Sequence, residues 1–166
     1  MADRKKDWLD KVPPWLFSAI YSPAIIAQFV LAFFRSGELR VVRLVGYGIW
    51  VIGVAFAFVP MFQLKRRGDV PEGEIYMKTS RLVDSGIYSI VRHPQYLAGM
   101  LFSMALMLVT QDWLVILLGL PTIVLTPLDA ILADRDCIDK FGDAYRKYMR
   151  RVPQLNAVLG VMRKLF

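Results

Sequence analysis

Apolar residues fall along this chain in four long blocks separated by short polar punctuation. Residues 15–34 run for twenty positions without a charge, and residues 44–64 for twenty-one. At about 1.5 Å of rise per residue, each crosses a hydrocarbon layer about 30 Å thick. Residues 96–110 and 113–128 form two shorter blocks, of fifteen and sixteen, parted only by Gln111 and Asp112. Such a short junction predicts a helical hairpin. The core of a soluble protein is the competing reading of a short apolar run, but the first two blocks are too long for it. The pattern therefore predicts an all-α integral membrane protein with four transmembrane helices, over residues 15–34, 44–64, 94–110 and 113–133, the last two forming the hairpin. Beyond residue 134 the pattern becomes amphipathic. Ile138, Phe141, Tyr145, Tyr148 and Val152 recur at helical spacing, while Lys140, Arg146, Lys147, Arg150 and Arg151 take other faces. This predicts amphipathic C-terminal helices lying on the membrane surface or over the ends of the spans. Pro153 closes the first of them, and residues 155–166 form a second short piece.

Within the spans, Trp15 and Tyr21 suit an interfacial belt, and Pro23 kinks the first span or sits in its first turns. Gly46, Gly48, Gly53, Ala55 and Ala57 give the second span a small-residue face suited to close helix packing. Pro121 and Pro127 are tolerable in a membrane helix whose neighbours satisfy the freed carbonyls. Met100, Met104 and Met107 read as packing or as adaptable walling for a lipid tail. Residues 65–95 hold the longest polar stretch, with turn signals at Gly68-Asp69 and Pro71-Glu72-Gly73. A loop of that length in a small membrane domain is either disordered or functional.

Charge sets the orientation. With four spans, eighteen of the twenty-one Lys and Arg residues fall on the side holding the N-terminus, the middle loop and the tail, against three on the other. The positive-inside rule makes that side cytoplasmic, and the net charge of +7 then reflects topology and contact with anionic membrane lipids. Nucleic acid is excluded as a partner, because no basic face is interleaved with base-stacking aromatics on a soluble module. The 166 residues suggest one domain. The single cysteine, Cys137, has no intrachain partner and reads as inert; one His and one Cys make a metal site improbable. The first span is long for a signal-peptide core and lacks a clear cleavage pattern, so it is read as retained.

The chemistry concentrates at one place. His93, the only histidine, stands in Arg92-His93-Pro94-Gln95-Tyr96 at the entrance of the third apolar block. Ionisable groups at the mouth of a span mark a functional site by default. A bland reading remains, in which His93 caps a helix and meets a lipid phosphate. Tyr145 and Tyr148 read as a packing stripe, Arg150 and Arg151 as lipid-phosphate contacts, and Asp134 as either a solvated acid or a site residue.

Gly86-x-Tyr88, then Arg92-His93-Pro94-x-Tyr96 at the start of the hairpin, then Phe141-Gly142-Asp143-x-Tyr145-x-x-Tyr148 after it resemble the isoprenylcysteine carboxyl methyltransferase and phospholipid methyltransferase superfamily. The resemblance covers about residues 78–153. It implies an integral membrane methyltransferase with S-adenosyl-L-methionine as cofactor, bound at the cytoplasmic face under the C-terminal helix. Carried over position by position, the cofactor-binding residues are Arg81, Leu82, Val83, Tyr88, His93, Pro94, Gln95 and Tyr96. His93, Arg92 and Asp134 are the candidate catalytic residues. The acceptor is a lipophilic small molecule or lipid-anchored group, either an isoprenylcysteine-like carboxylate or a phospholipid amine, entering from the bilayer. The family's paired glutamates fall here on Ala133 and Asp134, and its acceptor-binding arginine falls near Asp129.

The residues themselves suit that chemistry. Methyl transfer from a sulfonium is an in-line displacement, so alignment supplies much of the acceleration. Tyr88 and Tyr96 can face a sulfonium through cation–π attraction. Arg92 or His93 can bind a carboxylate, and the N-terminus of the helix opened by Pro94 favours an anion. A carboxylate acceptor needs no base, whereas an amine must lose a proton, to His93 or Asp134. Two other readings stay open: a sterol-reductase-like membrane enzyme using NADPH, and a non-catalytic scaffold that has lost the site.

Overall fold

The computed structural model describes residues 11–13 and 15–165. Arg4, Lys5 and Lys6 of the N-terminal basic group lie outside the described residues, as do Pro14 and Phe166. The described chain is helical, with no strand: α1 (Leu16–Ala32), α2 (Arg40–Arg67), α3 (Pro94–Thr110), α4 (Trp113–Phe141), α5 (Asp143–Arg151) and α6 (Ala157–Leu165).

By length and composition, α2 and α4 can cross a membrane, at 28 and 29 residues. Helices α1 and α3 are apolar but shorter, at 17 residues each, or about 25 Å of rise. Along α2, Val41, Leu44, Val51, Phe58 and Phe62 are exposed, an apolar surface that suits lipid rather than water. The hairpin between α3 and α4 turns at the expected place. Gln111 takes the left-handed conformation with φ 51°, and the Asp112 carboxylate caps α4 by accepting from the Leu114 and Val115 amides at 3.0 and 3.3 Å.

Helix α4 departs from the expected boundary. It continues through Pro121, Pro127, Asp129 and Asp134 to Phe141, so the division expected at 133/134 falls in mid-helix. The acids stay helical because both find donors on neighbouring elements, described below. The helix ends at Gly142, whose φ of +57° favours glycine.

Small residues set the packing. Gly46 lies against Val109 and Ala105, and Gly53 against Phe102 and Leu101, so these two let α2 approach α3 closely. Gly48 faces open space and takes no part. Helix α1 packs chiefly on α4 and more lightly on α3. Between α1, α3 and α4, Gln28 is fully buried. Its Nε2 donates to the Val115 carbonyl at 2.8 Å, and its Oε1 accepts from Ser103 Oγ at 2.9 Å.

The segment from 68 to 93 folds back on the end of α2. The Gly68 carbonyl accepts from the Ser80 and Arg81 amides at 2.9 and 3.1 Å. Gln63 Oε1 accepts from the Ile87 amide at 3.1 Å and so pins the 3₁₀ turn Gly86–Ser89. The chain after α5 then returns alongside the entrance of α3. The Arg92 amide donates to the Pro153 carbonyl at 3.0 Å, and the His93 amide to the Gln154 carbonyl at 3.2 Å. Helix α6 closes over the outside, with Gly160 against the Ile90 carbonyl and Lys164 donating to Ser89 Oγ at 3.1 Å.

Candidate functional site

The entrance to α3 is a short extended step. His93 precedes the helix with φ −119°, and Pro94 fills the first turn, where its missing N–H does no harm. The clasp to Pro153 and Gln154 holds Arg92 and His93 by their backbone, and their side chains converge on Asp134 of α4. Asp134 Oδ1 meets His93 Nε2 at 2.8 Å and the Tyr145 hydroxyl at 2.6 Å. Asp134 Oδ2 accepts from Arg92 Nη2 at 2.9 Å and from Gln154 Nε2 at 2.9 Å. One buried carboxylate thus joins four donors from the α3 entrance, α5 and the segment after it. Arg92 Nη1 also donates to the Met149 carbonyl at 3.2 Å.

Beside this hub lies a cavity of about 530 Å³, within the range of about 300–1,000 Å³ typical of small-molecule sites. Leu82, Val83, Tyr88, Arg92, His93, Pro94, Gln95 and Tyr96 all line it. Arg81 is exposed and is not among the lining residues. Asp134 is not in the wall either: it stands behind it and bonds Arg92, His93 and Tyr145, which are. Its carboxylate is fully engaged, which fits a positioning residue better than a proton acceptor.

Several lining residues were not expected in the site. Tyr145 and Tyr148, read as a packing stripe, pack edge-to-face at 5.5 Å and both line the cavity. The Tyr148 hydroxyl donates to the Tyr88 carbonyl at 2.6 Å. Tyr21, read as an interfacial anchor, lines the cavity from α1, and its hydroxyl donates to Asp129 Oδ2 at 2.7 Å. Tyr76 accepts from Gln95 Nε2 at 2.9 Å. Cys137 is also in the wall. Their signals in the sequence were weak, because a tyrosine at helical spacing looks the same whether it packs or lines a site. Arg151 pairs with Asp84 at 2.9 Å.

Burial raises the phenols of Tyr88, Tyr145 and Tyr148 far above their ordinary range, with the Asp134 hydrogen bond adding to the effect at Tyr145. They remain neutral donors with intact aromatic faces at any working pH. The cavity wall therefore presents aromatic rings, the start of α3 and the Arg92 side chain. Rings suit a sulfonium. The helix start and the guanidinium suit a carboxylate. An adenosyl amino-acid cofactor, which carries both charges, fits these residues. No group of His, Cys, Asp and Glu suited to a metal occurs among the described residues.

The sequence profile of a family described as phospholipid methyltransferase matches residues 41–132. No curated protein and no solved structure matches the chain.

Proposed function

Because this chain belongs to the phospholipid methyltransferase family, whose profile covers more than half of it, we propose that it transfers the methyl group of S-adenosylmethionine to a phospholipid amine. The observation that carries the reading is His93, anchored by Asp134, in the wall of an aromatic cavity at the end of an apolar helical bundle. When bound, the cofactor supplies an electrophilic methyl group on a positively charged sulfur.

The residues divide the remaining work. Tyr88 and Tyr96 would give the sulfonium its aromatic surroundings, and Arg92 with the start of α3 would hold the cofactor's carboxylate. An amine acceptor carries a proton that must leave before its lone pair can attack. Asp134 fixes His93 by Nε2, which leaves Nδ1 as the ring nitrogen able to take that proton. Asp134 acts through His93 and is a positioning residue. The aliphatic side chains of Leu82 and Val83 and the rings of the tyrosines exclude water from the reacting atoms.

An amine is favoured over a carboxylate by charge. Among the described residues, Arg92 and His93 are the only basic side chains lining the cavity, and both are already held by Asp134. With Arg92 also holding the cofactor's carboxylate, an anionic acceptor would find no further cation there. The basic loop and α5 favour the cytoplasmic face for the site, with α1 to α4 as the membrane unit of this reading.

Calorimetric titration of S-adenosylhomocysteine into detergent-purified protein tests the cofactor. Micromolar binding that Tyr88→Ala and His93→Ala both weaken is expected. A folded wild type that binds neither S-adenosylhomocysteine nor S-adenosylmethionine would sink the proposal.

A further inference from the structure

Two acids of α4 face inward, and they are satisfied very differently. Asp134 holds a guanidinium and three further donors. Asp129 is only 4% exposed, yet its single hydrogen bond among the described residues comes from the neutral Tyr21 hydroxyl. No lysine or arginine forms an ion pair with it among the described residues. A buried carboxylate is normally paired with a cation or wrapped in several donors. In an apolar helical bundle an acid without them marks a ligand or ion site.

The position says where the missing cation comes from. Asp129 lies one turn before Ala133 on α4, so the two share a helix face, and Ala133 is in the cavity wall. Tyr21 is in that wall too. Its hydroxyl holds Asp129, which stands behind the wall and is not among the lining residues. A cation entering the cavity therefore meets an aromatic ring backed by a carboxylate. Aromatic faces and a carboxylate are the two groups that bind onium ions in a dry site.

Resting on the methyl-transfer reading above, we infer that Asp129 and Tyr21 form an onium subsite, with Tyr21 in the cavity wall and Asp129 behind it. Two onium groups occur in such a reaction, the ammonium of a lipid head group and the sulfonium of the donor. The reading above gives the sulfonium to Tyr88 and Tyr96, which leaves the ammonium for Asp129 and Tyr21, and Asp129 lies on the side of Ala133 away from α5. The same pair would repel an anionic head group and so set specificity.

The test compares wild type with Asp129→Asn, which keeps the shape and an acceptor for Tyr21. Calorimetry reads S-adenosylmethionine and S-adenosylhomocysteine affinity, and kinetics reads KM for a short-chain phosphatidylethanolamine. Asp129→Asn is expected to raise that KM roughly tenfold or more, since bonds to charged groups contribute about 1.5–3 kcal/mol. S-adenosylhomocysteine affinity, by contrast, stays within about twofold. If the lipid KM is unchanged and S-adenosylmethionine alone loses affinity, the subsite stands with the sulfonium as its occupant. If neither moves, the inference is overturned, while cofactor binding by wild type leaves the methyl-transfer reading intact. A wild-type measurement guards against a variant that does not fold. A short-chain lipid with a quaternary ammonium head should compete with the amine acceptor at least about tenfold better than its isosteric neutral 3,3-dimethylbutyl analogue. Equal competition would overturn the subsite.

Discussion

Removing the Asp134 carboxylate should unfold the site from its centre. Its side chain and that of Arg92 are 7% and 9% exposed, at 2.9 Å. In Asp134→Ala the guanidinium keeps only the Met149 carbonyl, and an uncompensated buried charge costs about 3–5 kcal/mol. Tyr145 and Gln154 lose the same acceptor, so the figure is a lower bound. For a chain of this size, about 2–4 °C of Tm per kcal/mol gives a fall of roughly 6–20 °C. Thermal unfolding in detergent, followed by circular dichroism, reads it. The double variant Arg92→Ala/Asp134→Ala separates charge from packing. Once both charges are gone no guanidinium is stranded, so the double should be less destabilised than the sum of the singles, by roughly 1–3 kcal/mol. A loss below about 1 kcal/mol in Asp134→Ala, or strictly additive costs in the double, would refute the view of this acid as the tie between α3, α4 and α5.

Two further outcomes follow from packing. In Gly160→Ala the new Cβ lands on the Ile90 carbonyl, a backbone group that cannot swing aside. Helix α6 should lift, with faster hydrogen exchange confined to residues 157–165 and the neighbouring 3₁₀ turn; unchanged exchange there would rule out the contact. Gln28→Leu removes one acceptor from Ser103 Oγ and the interhelical donor to the Val115 carbonyl and should cost about 0.6–1.7 kcal/mol in unfolding, with S-adenosylhomocysteine affinity unaltered.

Helices and their order could be read from the chain because apolar length is a direct physical requirement. The start of α3 was also legible, since Pro94 can open a helix but not continue one. The far end of α4 was not. Asp129, Asp134, Arg135 and Asp136 look like the exit from an apolar segment, and only tertiary partners keep two of them inside. Arg92 and His93 stood out by being polar at an apolar border. Tyr21, Tyr145 and Gln154 did not, because a tyrosine or glutamine carries no mark of the residue it will meet some 10 to 110 positions away. Gln28 went unremarked for the same reason. A lone amide in an apolar run becomes meaningful only once Ser103 and Gly119 are seen against it.

The clasp of Arg92 and His93 to Pro153 and Gln154 also dictates when the protein becomes competent. Synthesis proceeds from the N-terminus, so α1 to α4 are made before residues 145–154. Until those residues emerge, Asp134 lacks two of its four donors and the cavity lacks the wall formed by Tyr145 and Tyr148. The cavity of a nascent chain is thus incomplete until the segment through Gln154 has emerged and folded back.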